Sequence, residues 1–217
     1  MSRANIILGG LGYNKRVLNK FSQIYNKGDN IIIPFTFSSM IFGKKYPHYD
    51  RLNKNLLPYK YLHIHALSGS CHYLYNFMEK YPHNKEKVKT QIYDSPCHIR
   101  GIIPSLQKMH SIPPFISEKL INTIFHDCVR TSDSFTNKSL LPNIPTGIIK
   151  SSNDIIAPDN AIQNLIDKWN KDCKSIHILE TKSKHLESYK DNSEQYIAFC
   201  NKIIDEFELG FAPNSWN

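Results

Sequence analysis

The feature that most constrains the fold is a regular alternation of short apolar runs with segments of helical spacing. Runs with the length and residue types of buried strands cover residues 4–10, 30–37, 61–67, 87–96, 145–154 and 174–180. Segments with helical spacing cover residues 14–28, 68–81, 158–171 and 192–207. Because strands that are apolar throughout are typical of covered parallel sheets, the sequence predicts an α/β fold: a mostly parallel sheet of about six strands with helices on both faces.

One segment, residues 97–143, interrupts this alternation. It contains no clear strand, is rich in proline and carries helical patches such as SEKLINTIFHDCV. We interpret it as a helical cap or lid inserted over one edge of the sheet, within a single domain spanning residues 1–217. The following cap residues could line an apolar pocket or merely pack the cap onto the sheet: Ile102, Ile103, Phe115, Ile116 and Phe125.

Composition and charge argue against several classes of protein. The net charge is +8, but the lysines are spread along the chain and no nucleic-acid-binding motif accompanies them, so we expect no nucleic-acid partner. The five cysteines form no CxxC pair, so we expect no metal or cofactor. No apolar run approaches the roughly 20 residues of a transmembrane segment, and signal-peptide features are lacking, so we expect a soluble cytoplasmic protein. The sequence does not determine its oligomeric state.

Polar residues follow the predicted strands at the edge where open parallel sheets bind ligands. The first strand ends in the glycine loop GGLG (9–12), and the third ends at Ser68. The fifth strand ends at Asp154, and His185 follows the sixth. The chain order is therefore a glycine loop, a serine, an aspartate and a histidine, which is typical of a hydrolytic triad with an oxyanion loop.

The residues around Ser68 are small at the two positions where a nucleophile elbow requires it. The stretch is Ala66-Leu67-Ser68-Gly69-Ser70, where glycine is usual at the first and last positions. We predict Ser68 as the nucleophile, His185 as the base and Asp154 as the acid that orients it. The backbone N–H groups of Leu11 and Gly69 would form the oxyanion hole.

Other residues compete for each of these roles. Asp94, at the end of the fourth strand, could be the acid instead of Asp154. Ser70 could be the nucleophile, although His72 is bulky for the position two residues after it. Ser68 could simply cap the following helix, and His177 on a strand is more typical of a structural residue.

The sequence gives little support to a dinucleotide-binding site or to a metal-dependent hydrolase. The stretch GGLGYN lacks the third glycine of a dinucleotide site, because Lys15 stands there, and the next predicted strand ends without an acidic residue. A metal hydrolase built on His63 and His65 would need a further Asp-His pair nearby, which the sequence lacks.

Several stretches that carry the candidate residues also follow the order of a known family. They are IILGGLGYNKRVLNKFSQIY with PFTF, HALSGSCHYLY, IYDSP, IIKSSNDIIAPDNAIQNLI and SKHLESYKDNSEQYIAFC. In them the chain resembles the transmembrane protein 53 family (domain of unknown function 829), a branch of the α/β-hydrolase superfamily. The resemblance implies an α/β-hydrolase fold and the triad Ser68, Asp154 and His185. The chain departs from the family's glycine pair at Ser70 and Cys71.

We therefore predict a serine hydrolase of the esterase type. It would cleave an acyl ester, thioester or related carbonyl compound. If the cap residues line a pocket, we expect an apolar acyl group, whose identity the sequence leaves open. The alternative is a catalytically inactive interaction protein that keeps the α/β-hydrolase fold, and the missing elbow glycines favour it.

Overall fold

The centre of the molecule is a six-stranded sheet in which every neighbouring pair of strands is parallel. The computed structural model describes residues 2–42, 45–102, 118–119, 122–123 and 126–210. Its strands are β1 (Arg3–Leu8), β2 (Asp29–Ile33), β3 (Tyr61–Leu67), β4 (Val88–Asp94), β5 (Thr146–Ser151) and β6 (Ile176–Thr181). Their spatial order is β2-β1-β3-β4-β5-β6, and the prediction of a parallel sheet of six strands is confirmed.

Helices connect these strands. They are α1 (Lys15–Ser22), α2 (Phe37–Phe42), α3 (His48–Leu56), α4 (Ser70–Lys80), α5 (His126–Asn137), α6 (Asp159–Trp169), α7 (Ser188–Asp191) and α8 (Ser193–Gly210), with 3₁₀ turns at Pro82–Lys87 and Ile99–Ile102. Within the described ranges, no helix is both long and apolar enough to cross a lipid bilayer.

The core has two layers because side chains alternate between the faces of each strand. On one face, Ile64 and Ile148 belong to a buried cluster that includes residues of α3, α4, α5 and α6. On the other face, Ile7 and Ile149 pack with residues of α1 and α8. Helices therefore cover both faces as predicted, and the carboxyl ends of all strands meet at one edge.

The predicted elements differ from the observed ones mainly at their ends. The second strand stops at Ile33, before Pro34, which has no N–H to donate to a neighbouring strand. The first helix ends at Ser22 instead of near residue 28, because Ile24 and Tyr25 form tighter bonds to carbonyls three residues back. These turn residues still bury their side chains, so the helical spacing continues beyond the helix.

The helix α3 is the main element that sequence reasoning missed. Its buried residues Tyr49, Leu52 and Leu56 stand three and four positions apart, which is a helical spacing. This short pattern lies between lysines and asparagines, so it is less conspicuous than the four longer segments. In the structure, the Tyr49 ring packs edge-on against Tyr73 of α4 with centroids 4.7 Å apart.

Part of the predicted cap segment 97–143 is described. Phe135 of α5 packs edge-on against Tyr93 of β4 and Trp169 of α6, with centroids 5.2 and 4.9 Å away. This helix is thus anchored to the sheet by aromatic contacts. The cap itself stays a prediction, because residues 103–117, 120–121 and 124–125 lie outside the described residues.

Candidate active site

The candidate nucleophile lies in a tight turn between β3 and α4. Ser68 has a backbone φ of 54°, in the left-handed region that non-glycine residues rarely adopt. Its N–H donates to the carbonyl of Asp94 at 2.8 Å, which extends the β3–β4 pairing by one bond past the strand end. The turn therefore holds Ser68 at the carboxyl edge of the sheet and at the start of a helix, where developing negative charge is favoured.

Ser70 shows how a serine fits at the elbow position where glycine is usual. Its side chain is fully buried, and its single hydroxyl proton is shared between the carbonyls of Leu67 (2.8 Å) and Leu8 (3.2 Å). Because Leu67 and Leu8 are the last residues of β3 and β1, the Ser70 hydroxyl is bound to the ends of both strands. Because Ser70 is bound to backbone carbonyls and not to an imidazole, it is poorly placed for the alternative role of nucleophile.

His185 lies within hydrogen-bond distance of both other predicted triad residues. Ser68 Oγ is 2.8 Å from His185 Nε2, and His185 Nδ1 is 2.6 Å from Asp154 Oδ2. Since an ionised carboxylate can only accept, Nδ1 carries the proton and Nε2 accepts the hydroxyl proton of Ser68. This is the arrangement that a general base needs before it takes a proton from a nucleophile.

Asp154 is held by its own loop, which follows β5. Its second oxygen, Oδ1, accepts the backbone N–H groups of Ile156 (2.9 Å) and Ala157 (2.8 Å). Burial alone would raise the pKa of Asp154, but the hydrogen bond and charge of His185 and these two N–H bonds outweigh it, so the pKa lies below its usual value. The carboxylate is thus kept charged and correctly oriented next to the imidazole.

Strained backbone is concentrated around these side chains. The described non-glycine residues with positive φ are Ser68 (54°), Ser95 (50°) and Leu186 (60°). One is the candidate nucleophile, and the other two directly follow Asp94 and His185. Each such conformation costs on the order of 1–3 kcal/mol and persists only where the surrounding structure imposes it, which is typical of functional sites.

The glycine loop after β1 packs closely against the nucleophile and the histidine loop. A Cβ on Gly10 would lie 2.5 Å from Leu186 Cδ1 and 3.5 Å from Ser68 Cβ, so only glycine fits without displacing Leu186. The Tyr13 hydroxyl donates to the Leu186 carbonyl at 3.3 Å and ties the same two loops together. Among the described residues, the N–H of the predicted oxyanion donor Leu11 makes no hydrogen bond.

The other predicted oxyanion donor, Gly69, directly follows the nucleophile at the start of α4. A Cβ there would lie 3.5 Å from a ring carbon of Phe35 and 4.0 Å from Cys97 Sγ. Like that of Leu11, its N–H makes no hydrogen bond within the described part of the chain. Within the described ranges, both N–H groups are therefore available as hydrogen-bond donors.

Asp94, the alternative acid, lies in a different environment. It is fully buried, and its carboxyl oxygens accept the hydroxyls of Tyr196 (2.7 Å) and Ser95 (3.0 Å). Burial raises its pKa to about 6, although these two hydrogen bonds and the nearby His185 act in the opposite direction. Within the described residues no hydrogen bond joins Asp94 to His185, so the geometry favours Asp154 as the acid.

The remaining candidate histidines have other partners. His63 Nδ1 is 2.8 Å from Thr90 Oγ1, and His65 lies between the hydroxyls of Tyr25 (2.8 Å) and Tyr196 (2.9 Å). Burial lowers the pKa of His63 to about 4 and that of His65 to about 3, so both are neutral and structural. In the described part of the chain, no three His, Cys, Asp or Glu side chains are grouped as metal ligands would be.

The last histidine considered in the sequence, His177, lies on the edge strand β6. Its Nε2 contacts the Glu206 carboxylate and lies 2.9 Å from the hydroxyl of Ser175. Its position on a strand, away from Ser68, agrees with the structural role expected for it.

Sequence reasoning missed one side chain that contacts the nucleophile. Cys97 Sγ lies 3.4 Å from Ser68 Oγ. Its position three residues after Asp94, in the turn that leaves β4, was the available signal. The predicted pocket-lining residues of the cap are not part of the described structure: these are Ile103, Phe115, Ile116 and Phe125, together with the side chain of Ile102.

Comparisons with known proteins agree with this architecture. No protein-family model matches the sequence, and no curated protein matches it. The transmembrane protein 53 resemblance therefore stays a prediction. Solved structures do match, among them an esterase of Pyrococcus furiosus with a TM-score of 0.65 and 10% identity, covering 95% of this chain and 82% of that one.

Two further solved structures match over similar lengths. A thermophilic esterase of Thermogutta terrifontis has a TM-score of 0.60 and 10% identity, covering 95% of this chain and 90% of that one. The mouse alpha/beta hydrolase domain-containing protein 10 has a TM-score of 0.57 and 11% identity, covering 94% and 90%. At these identities the likeness is one of fold, and the chain has the predicted α/β-hydrolase fold.

Proposed function

We propose that this protein is a serine hydrolase of the esterase type that uses Ser68, His185 and Asp154. The observation that carries the proposal is the continuous chain of hydrogen bonds from Ser68 Oγ through the imidazole to the Asp154 carboxylate. The α/β-hydrolase fold and the esterases among the solved structures that match it are further support.

In this proposal, the reaction begins with attack of Ser68 Oγ on the carbonyl carbon of a bound ester or thioester. His185 Nε2 takes the hydroxyl proton, and Asp154 stabilises the imidazolium that forms. The tetrahedral intermediate then expels the alcohol or thiol, which leaves with the proton from Nε2. Water attacks the acyl-enzyme with the same imidazole as base, releasing the acid and restoring the Ser68 hydroxyl.

The negative oxygen of the tetrahedral intermediate would be bound by the N–H groups of Leu11 and Gly69. Each donor of this kind typically contributes roughly 3 kcal/mol to lowering the barrier. The close packing of Gly10 against Leu186 and Ser68 supports the assignment, because it brings the glycine loop to the nucleophile.

A fluorophosphonate activity probe tests the proposal directly. We expect the folded wild-type protein to be labelled and Ser68→Ala to lose the label completely. Ser139→Ala is the matched control, because it removes another buried serine hydroxyl, which contacts Gln91. It should label like the wild type.

Two results would contradict the proposal. Persistent labelling of Ser68→Ala would place the reactive group elsewhere. A folded wild-type protein that takes no label would favour the alternative, an inactive interaction protein with a hydrolase fold. If labelling succeeds, a panel of esters with acyl chains of increasing length would define the substrate class and test the expected preference for apolar acyl groups.

A further inference from the structure

The thiol of Cys97 lies directly against the candidate nucleophile. Its Sγ is 3.4 Å from Ser68 Oγ, and the residue is 4% exposed. Gly69 and Gly101 lie beside the residue: a Cβ on Gly69 would be in van der Waals contact with Sγ, at 4.0 Å, and one on Gly101 would lie 3.8 Å from Cys97 Cβ. The thiol is therefore buried against the nucleophile.

The direction of this hydrogen bond follows from the rest of the triad. Ser68 donates its only hydroxyl proton to Nε2 of His185, because Nδ1 carries the ring proton toward Asp154. Toward Cys97, Ser68 Oγ can then only accept. Burial raises the pKa of Cys97 to about 11, so the sulfur keeps its proton at neutral pH and acts as the donor.

The backbone of Cys97 is also anchored by a buried histidine. The Cys97 carbonyl is 3.0 Å from His72 Nε2, and burial lowers the pKa of His72 to about 3, so the ring is neutral. Ser132 Oγ of α5 lies 2.9 Å from the same ring nitrogen and 3.2 Å from Nδ1, and it accepts the Ile99 N–H at 3.2 Å. A helix of the predicted cap segment thus holds the turn that presents the thiol to Ser68.

We propose that Cys97 is a further catalytic residue of this site, with its S–H donating to Ser68 Oγ. The inference rests on the proposed serine hydrolase function. The thiol keeps the hydroxyl rotamer in which the proton points at His185. It also donates to Oγ when negative charge develops there, both during attack and when Oγ leaves the acyl-enzyme.

The test compares the second-order rate constant of fluorophosphonate labelling among variants that differ in the donor. Cys97→Ala removes the donor, and we expect labelling to slow by about tenfold, which is typical for the loss of one hydrogen bond to a reacting group. Cys97→Ser replaces the thiol with a hydroxyl donor and should label at close to the wild-type rate. Cys200→Ala, which removes another buried thiol, on α8, should also match the wild type.

The S–H stretching band in the infrared spectrum gives a readout that a purely structural cysteine would not change. The Cys97 band is identified as the one missing from the spectrum of Cys97→Ala. In Ser68→Ala the acceptor oxygen is gone, so this band should move to higher frequency. The band can be measured whether or not the variant retains activity.

Different outcomes separate this inference from the proposed function. If wild-type protein is labelled but Cys97→Ala is labelled at the same rate, Cys97 has no catalytic role while the serine hydrolase assignment stands. Equal slowing of Cys97→Ala and Cys97→Ser, or an S–H band that Ser68→Ala leaves unchanged, would also overturn the donor role. Absence of labelling in the wild type would overturn both.

Discussion

Two buried carboxyl groups at the ends of neighbouring strands behave differently. Asp154 follows β5, accepts two backbone N–H groups and the imidazole N–H, and has a lowered pKa. Asp94 ends β4, accepts two hydroxyls, and has a pKa raised to about 6. Both are nearly inaccessible to solvent, so burial alone does not explain the difference.

The comparison shows that the donors around a buried carboxyl decide its charge. A carboxylate that accepts several N–H groups and faces a basic ring stays ionised, whereas one that accepts only hydroxyls in an apolar setting holds its proton more tightly. The first is suited to stabilise an imidazolium. The second is suited to brace the strand end beside Ser68, whose N–H donates to the Asp94 carbonyl.

The largest expected effect comes from converting the charged carboxyl to an amide. In Asp154→Asn the amide nitrogen cannot accept the Nδ1 proton of His185, so the ring takes the wrong tautomer. We expect kcat for ester hydrolysis to fall about 10⁴-fold, as with the corresponding change in a serine protease triad. Asp94→Asn should retain kcat within about threefold. The reverse result would make Asp94 the acid.

The second prediction concerns the pH dependence of stability in Asp94→Asn. Because the pKa of Asp94 is raised from 3.8 to about 6 on folding, this carboxyl favours the folded state below pH 3.8, and that contribution is lost as pH rises through about 6. The variant cannot ionise. Its free energy of unfolding relative to wild type should therefore increase by up to about 3 kcal/mol between pH 4 and pH 7.

Urea unfolding at a series of pH values measures this difference. The buried histidines titrate in both proteins, so their contributions cancel. Asp154→Asn is the opposing control, because the pKa of Asp154 is lowered on folding and its stabilising contribution is lost as pH falls. A difference curve for Asp94→Asn that is flat, or that has the sign expected for Asp154, would contradict the contrast between the two groups.

The smallest effect is expected from Tyr196→Phe. The change removes the hydroxyl that donates to Asp94 and contacts His65 Nε2 at 2.9 Å, so we expect a loss of about 1 kcal/mol in the free energy of unfolding. The remaining carboxyl loses a donor, and its pKa should rise further. Urea unfolding should place the pH-dependent loss of stability at higher pH in this variant. Tyr189→Phe removes a hydroxyl from the neighbouring ring and should leave the pH of that loss unchanged.

Much of the fold was predictable because it depends on local patterns. Each strand was found from a run of a few apolar residues, and α4, α6 and α8 were found from their helical spacing. The helix α3 was missed because its spacing is short and its neighbours are polar. The ends of β2 and α1 differed because Pro34 and the tight turns at Ile24 and Tyr25 depend on how the chain must turn to reach the next element.

Some residues of the candidate site could likewise be predicted from local patterns, and others could not. Ser68 could be found from the small residues around it, and the chain order at the strand ends pointed to Asp154 and His185. The sequence left Asp94 open as the acid and gave no role to Cys97. Both questions concern distances between side chains that are remote in the chain, and no short pattern encodes them.

The sequence by itself determined the order of strands and helices and the edge of the sheet where the polar residues collect, because hydrophobic periodicity and strand ends are local properties. Only the tertiary structure decided which carboxyl meets His185 and which thiol touches Ser68. The physical reason is that these contacts depend on the paths of the loops after β4, β5 and β6. The loop after β6 is held where Leu186 packs against Gly10 and accepts the Tyr13 hydroxyl, and the loop after β5 is held by the N–H groups that Asp154 accepts.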